Sequence, residues 1–127
     1  MIDAQAGACI DMQKGPMMAE PILGRFDFDT EIERFAPGEG ASGRRAETLI
    51  KTEGLRVVLV TLRAGAALHE HTAPGPITIQ ALRGHLTVSL EGADPVPLQR
   101  DQFIAIASGV RHSVRAEDAA AFLLTIG

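Results

Sequence analysis

Among 127 residues, the four histidines His69, His71, His85 and His112 are the side chains best suited to chemistry near neutral pH. His69 and His71 stand at i and i+2, so a regular strand would aim both imidazoles at one face. Neutral imidazole suits Fe, Zn, Cu, Ni and Mn. Such a pair is a weak signal alone, and the plainer reading is two unliganded histidines at the edge of a loop. Glu70 alternates away from both and reads as a surface residue. His85 shares a face with Thr87 and Ser89 and reads as solvated. Ser113 directly follows His112, so the two point to opposite faces and cannot act as nucleophile and base. The glycines do not lie between a strand and a helix, so there is no phosphate-cradling loop.

These histidines need strands to position them, and the pattern supplies strands. Residues 36 to 43 (APGEGASG) are turn chemistry. From Arg44 onward the apolar period becomes two. Ala46 and Leu49 mark one strand, and Leu55, Val57, Leu59 with Val58, Val60, Leu62 mark the next, joined by a turn at Glu53-Gly54. The second of these is apolar on both faces, which predicts cover on both sides. Further strands are expected at Ala67 to His71, Ile77 to Leu82, His85 to Leu90, Val96 to Leu98, Phe103 to Ala107, His112 to Ala116 and Ala121 to Ile126. Short strands with a turn every 8 to 12 residues indicate an all-β antiparallel sandwich or barrel. Before residue 43, the spacing allows a short helix around Thr30 to Phe35, capped by Asp29 or Thr30. Residues 1 to 20 lack a steady period and read as a loose arm. The expected organisation is an arm and barrel cover over 1–42 and a barrel over 43–127.

Composition narrows the function classes. The chain is 46% apolar and 22% charged, with a net charge of −4, ordinary for one soluble domain and unfavourable for binding phosphate backbones. Cys9 is the only cysteine. No intrachain disulfide can form, and Cys9 in the arm reads as incidental. No basic start precedes an apolar run, and no span of 18 apolar residues occurs, so a cytoplasmic address without membrane contact is expected. There is no Trp or Tyr. Phe26, Phe28, Phe35 and Phe122 are placed outside the expected barrel centre, so any pocket would be mainly aliphatic and nucleic-acid stacking is not expected.

Two stretches, Gly65 to Gly84 and Asp101 to Ala116, resemble the two motifs of the cupins, small single-domain members above all. The run Leu55-Arg56-Val57-Val58-Leu59-Val60, the loop Ala73-Pro74-Gly75-Pro76 and the ending Ala121-Phe122-Leu123-Leu124-Thr125-Ile126 add to the likeness, which covers roughly residues 43 to 127. The resemblance implies a double-stranded β-helix of jelly-roll type. It also implies a divalent metal held by two first-motif histidines, a carboxylate and a second-motif histidine. In the second motif, Gly109 and His112 stand in place. Asp101 replaces the leading Gly and Ala107 the usual Pro. Gly109 is expected at positive φ.

The first motif has two registers. In one, His69 and His71 are the paired histidines and, with His112, form a three-His site for one divalent metal. In the other, Gly65 is the motif Gly, His71 is the first His, Ala73 replaces the second and Ile77 the carboxylate. Both put Ile77 where the family has its carboxylate. Gln80 is the nearest substitute, but its parity is wrong unless a β-bulge turns it inward. A pocket at the mouth would be lined by Ile77, Ile79, Gln80 and Phe103. Two functions follow. One is a metal-dependent oxygenase, isomerase or lyase acting on a small organic metabolite, an expectation of the resemblance. The other is a metal-free binding or sensor module. A homodimer is expected from the resemblance and from the apolar Ile22, Leu23, Phe26 and Phe28.

Overall fold

The computed structural model describes residues 21–127. The expectations for the 1–20 arm and for Cys9 lie outside the described residues. Nine strands follow one short helix: α1 (Phe28–Arg34), β1 (Arg44–Thr52), β2 (Leu55–Leu62), β3 (Ala67–His71), β4 (Ile77–Arg83), β5 (His85–Leu90), β6 (Val96–Gln99), β7 (Phe103–Ile106), β8 (His112–Ala116) and β9 (Ala120–Ile126). They form a five-stranded sheet ordered β1-β2-β9-β4-β7 and a four-stranded sheet ordered β3-β8-β5-β6. Every pairing is antiparallel. The two sheets face one another as a jelly-roll sandwich.

The core lies between the sheets. Val58, Val60, Leu62, Ile77, Ile79 and Ala81 meet Leu86, Val88, Val114 and Ala116 across it. Phe122 is fully buried among them, against the expectation that placed it outside the centre. The reason is topological. The last strand in sequence, β9, is inserted between β2 and β4 and becomes the middle of its sheet.

The double-sided apolarity of β2 has a direct cause. Alternate residues Val58, Val60 and Leu62 face the core, while Leu59 and Thr61 face outward, where α1 covers them. Ile32 of the helix packs with Leu59 and Ala121, flanked by Phe35, Leu49 and Leu82. The Thr61 hydroxyl donates to the Phe35 carbonyl at 2.7 Å and ties the helix end to the sheet. The helix starts earlier than its spacing predicts. Asp27 is the cap, its carboxylate accepting from the Asp29 and Thr30 amides at 3.0 and 3.4 Å. Phe28, Asp29 and Thr30 therefore lie inside the first turn.

Candidate functional site

His112 opens β8, and its position is set by the turn before it. Gly109 has φ +76°, as its place in the motif predicts, and its amide donates to the Ala73 carbonyl at 2.9 Å. That bond ties the β7–β8 turn to the β3–β4 loop, so both loops close over one end of the sandwich. His112 enters beneath them and is buried at 2% exposure. Across β3 and β8 its Cα partner is His71.

The partner strand is irregular at this point. Leu68 pairs with Val114 and His71 with His112, so three steps on β3 match two on β8. This is a β-bulge, and it reverses parity within the strand. Leu68 and His71 both lie on the core side, and His69 and Glu70 between them are exposed. The expectation that His69 and His71 share one face is thereby corrected. The i, i+2 rule holds for a regular strand, and this strand carries one extra residue. The structure brings His71 and His112 together and leaves His69 outside, with its carbonyl rather than its ring turned to His71. Glu70 lies on the surface, where Arg111 donates to it at 3.3 Å.

The two imidazoles meet edge to face, with centroids 4.2 Å apart and planes at 62°. Their Nε2 atoms are 3.0 Å apart. His71 Nδ1 lies 2.8 Å from the His69 carbonyl oxygen, and His112 Nδ1 lies 2.9 Å from that of Val110. A carbonyl oxygen only accepts, so each Nδ1 carries a hydrogen and donates it. The three contacts need three hydrogens, whereas two neutral imidazoles supply two. The bonded carbonyls also fix both rings, leaving little freedom to turn away.

The surroundings are apolar. Leu90 pairs with His112 on the far side of β8, and Ala73, Leu90 and Val110 are partly buried against the main core. Ile77 opens β4, is 3% exposed, and pairs with Ile106 and Ile126. Ile79 is 1% exposed and lies deeper in the same core. Gln80 and Phe103 do not join this lining, which corrects that expectation. They are cross-strand partners on the outward face, and Phe103, on an edge strand, is 64% exposed. No bulge intervenes before Gln80, because β4 keeps regular register with both neighbours from Ile77 to Gln80.

The donor set can be tested against the divalent metal that the resemblance implies. His71 and His112 would supply two nitrogens. Ala73 and Ile77 stand at the other two positions, and neither carries a donor atom. Among the described residues no three His, Cys, Asp or Glu side chains converge as a metal site. Half of the implied set is present, and it does not fit a resident metal.

His85 is exposed, as its face predicts, but it is not idle. Its ring Nδ1 lies 2.8 Å from one Asp118 oxygen, and its backbone amide donates to the other at 2.7 Å. These bonds hold the Asp118 carboxyl below its ordinary range, with the ring hydrogen bond the main cause. Sequence reading misses this pair because Asp118 lies in a loop 33 residues away.

No family model matches the sequence, and neither does any curated protein. Solved structures do match the fold. An RmlC-like cupin from Desulfovibrio desulfuricans is 23% identical over 88% of this chain and 97% of its own, with a TM-score of 0.62. This chain has the cupin fold. A cupin-2 domain protein from Shewanella frigidimarina aligns at 14% identity over 80% of this chain and 92% of its own, with a TM-score of 0.64. KdgF from a Halomonas species aligns at 19% identity over 69% and 83%, with a TM-score of 0.61. The cupin fold accounts for the strand order. No helix among the described residues is long and apolar enough to cross a membrane.

Proposed function

We propose that this cupin-fold chain binds a small organic molecule at the mouth of the sandwich, without a resident metal. The observation that carries the reading is the paired, ring-locked His71 and His112 at an apolar rim. A ligand would place a polar or anionic head against the two Nε2 atoms and its body against Ala73, Leu90 and Val110. Sites of this kind join an apolar lining to a few fixed polar groups. A third hydrogen on the pair would make it cationic, which favours an acidic head group. Binding or sensing needs nothing more. The metal-dependent reading would need donors that Ala73 and Ile77 do not supply. The test is a thermal-shift screen of small organic acids and neutral metabolites against protein treated with a chelator. Stabilising compounds whose effect disappears in His112→Gln support the proposal. A flat screen, together with stoichiometric retention of Fe, Mn, Zn, Ni or Cu after buffer exchange, would overturn it.

The same proposal extends to a homodimer. Ile22, Leu23 and Phe103 are 68%, 62% and 64% exposed, apolar surface that a second copy would cover. Sedimentation at micromolar concentration as a monomer contradicts this part.

A further inference from the structure

The sandwich has four edge strands among the described residues, β1 and β7 on one sheet and β3 and β6 on the other. An edge presents unpaired amides and carbonyls that another strand can join, and folded proteins block this with charge, proline or bulges. Three of the four edges are blocked in that way. β1 carries Arg44, Arg45, Glu47 and Lys51, and its register shifts between Thr48 and Ile50. β3 carries Glu70 inside its bulge. In β6, Pro97 takes the place of an amide donor. β7 is Phe103-Ile104-Ala105-Ile106, with no charge, no proline and regular register against β4.

Hydrogen-bond alternation fixes which groups β7 leaves open. The Ala81 amide donates to the Gln102 carbonyl at 2.8 Å. Bonded pairs in an antiparallel ladder recur at every second residue, so Ile79 bonds Ile104 and Ile77 bonds Ile106. The amides and carbonyls of Phe103 and Ala105 therefore turn away from β4. Among the described residues no loop or turn backbone group bonds them. Both side chains are exposed on the outward face.

These two residues are spaced to meet a second copy of their own strand. Two β7 strands running antiparallel about a two-fold axis at Ile104 set Phe103 of each opposite Ala105 of the other. Each of these pairs exchanges two bonds, so the four open groups of each copy are all used. On the outward face the large ring lies beside a methyl group. Beyond the strand, the same register sets Asp101 level with Ala107 of the second copy and Arg100 level with Ser108, so no like charges oppose one another.

We propose that β7 is a dimerisation strand, pairing antiparallel with β7 of a second copy about Ile104 and joining the two five-stranded sheets into one. This rests on the homodimer reading given above and assigns it a strand and a register.

Sedimentation equilibrium of the whole chain at micromolar concentration is the first measurement, and the parent should be a dimer. Ala105→Pro removes an amide that β4 does not use, and Phe103→Lys puts charge on the edge. Each should raise the dimer dissociation constant about tenfold or more, since the two-fold axis doubles every lost contact. Ser89→Lys, on the outer face of the other sheet, should leave it unchanged. Cross-linking checks the register in a Cys9→Ser background. Ile104→Cys should oxidise to a disulfide-linked dimer, because facing non-bonded partners lie about 4.5 Å apart at Cα, within the span of a disulfide. Ala105→Cys should not, because residue 105 faces residue 103 of the other copy. A dimer that withstands both edge substitutions, or that cross-links as well at 105 as at 104, keeps the homodimer and overturns this pairing. A monomeric parent overturns both and leaves the edge to a strand of another protein. The cysteine variants leave the backbone donors intact, so they decide the matter even if Ala105→Pro does not fold.

Discussion

His71 and His112 face one another Nε2 to Nε2 at 3.0 Å, each with its Nδ1 donating to a backbone carbonyl. The ring of His112 is almost wholly enclosed. Removing it would open a cavity and leave the His71 Nε2 without its partner. We expect His112→Ala to cost about 2–3 kcal/mol. His69→Ala, on the exposed side of the bulge, should change stability by less than about 0.5 kcal/mol. Urea denaturation of both variants beside the parent checks this pair of outcomes, and a reversed order contradicts the placement of His69.

Thr61 is buried, and its hydroxyl holds the end of α1 through the Phe35 carbonyl. Thr61→Val keeps the shape and deletes the donor. The stranded carbonyl should cost about 1–2 kcal/mol. The loss should be local as well as global, with faster proteolysis in residues 36–42. A variant as stable as the parent would show that the helix needs no such anchor.

Asp101 stands where the resemblance expects glycine, and its φ is +71°. That is the left-handed region, which aspartate tolerates better than most residues but glycine enters without strain. Asp101→Ala should destabilise by about 1 kcal/mol, and Asp101→Gly should be neutral or mildly stabilising. Thermal unfolding of the two variants separates backbone strain from loss of the carboxylate, because both remove the acid.

The Asp118 carboxyl is held below its ordinary value of 3.8 by the His85 ring, then by the His85 amide. A depressed folded-state value means a stabilising contribution that is fully present above the unfolded value and lost as pH falls through the folded one. The stability difference between the parent and Asp118→Asn should therefore shrink as pH falls below 3.8. Both groups are well exposed, so salt should reduce the difference. Denaturation measured across this range checks the direction, and a difference that grows on acidification contradicts it.

Most of the architecture is legible in the sequence, because turn residues and period-two apolarity are local. Glu53-Gly54, Gly84 and Gly92 turn where they stand, each glycine at positive φ. The helix that covers Leu59 is anticipated in the apolarity of β2, though its cap is displaced by two or three residues. The place of Phe122 is not legible, since insertion of β9 between β2 and β4 is a long-range property. At the site, His112 and Gly109 follow from motif spacing. The exclusion of His69 does not follow from alternation, because a bulge leaves no composition signature. The register anchored on Gly65, in which His71 comes first, leaves His69 out of the ligand set but still on the same face. Gly65 has φ +82°.

The most direct test of the paired-histidine account is the ring ¹⁵N spectrum of the free protein, with its histidine resonances assigned through His69→Gln and His112→Gln. The account predicts that both His71 and His112 carry hydrogen on Nδ1. Substituting His112 should shift the His71 ring resonances, and substituting His69 should leave both paired rings where they are. A bare Nδ1 on either ring, or a His71 spectrum indifferent to the loss of His112, would contradict it.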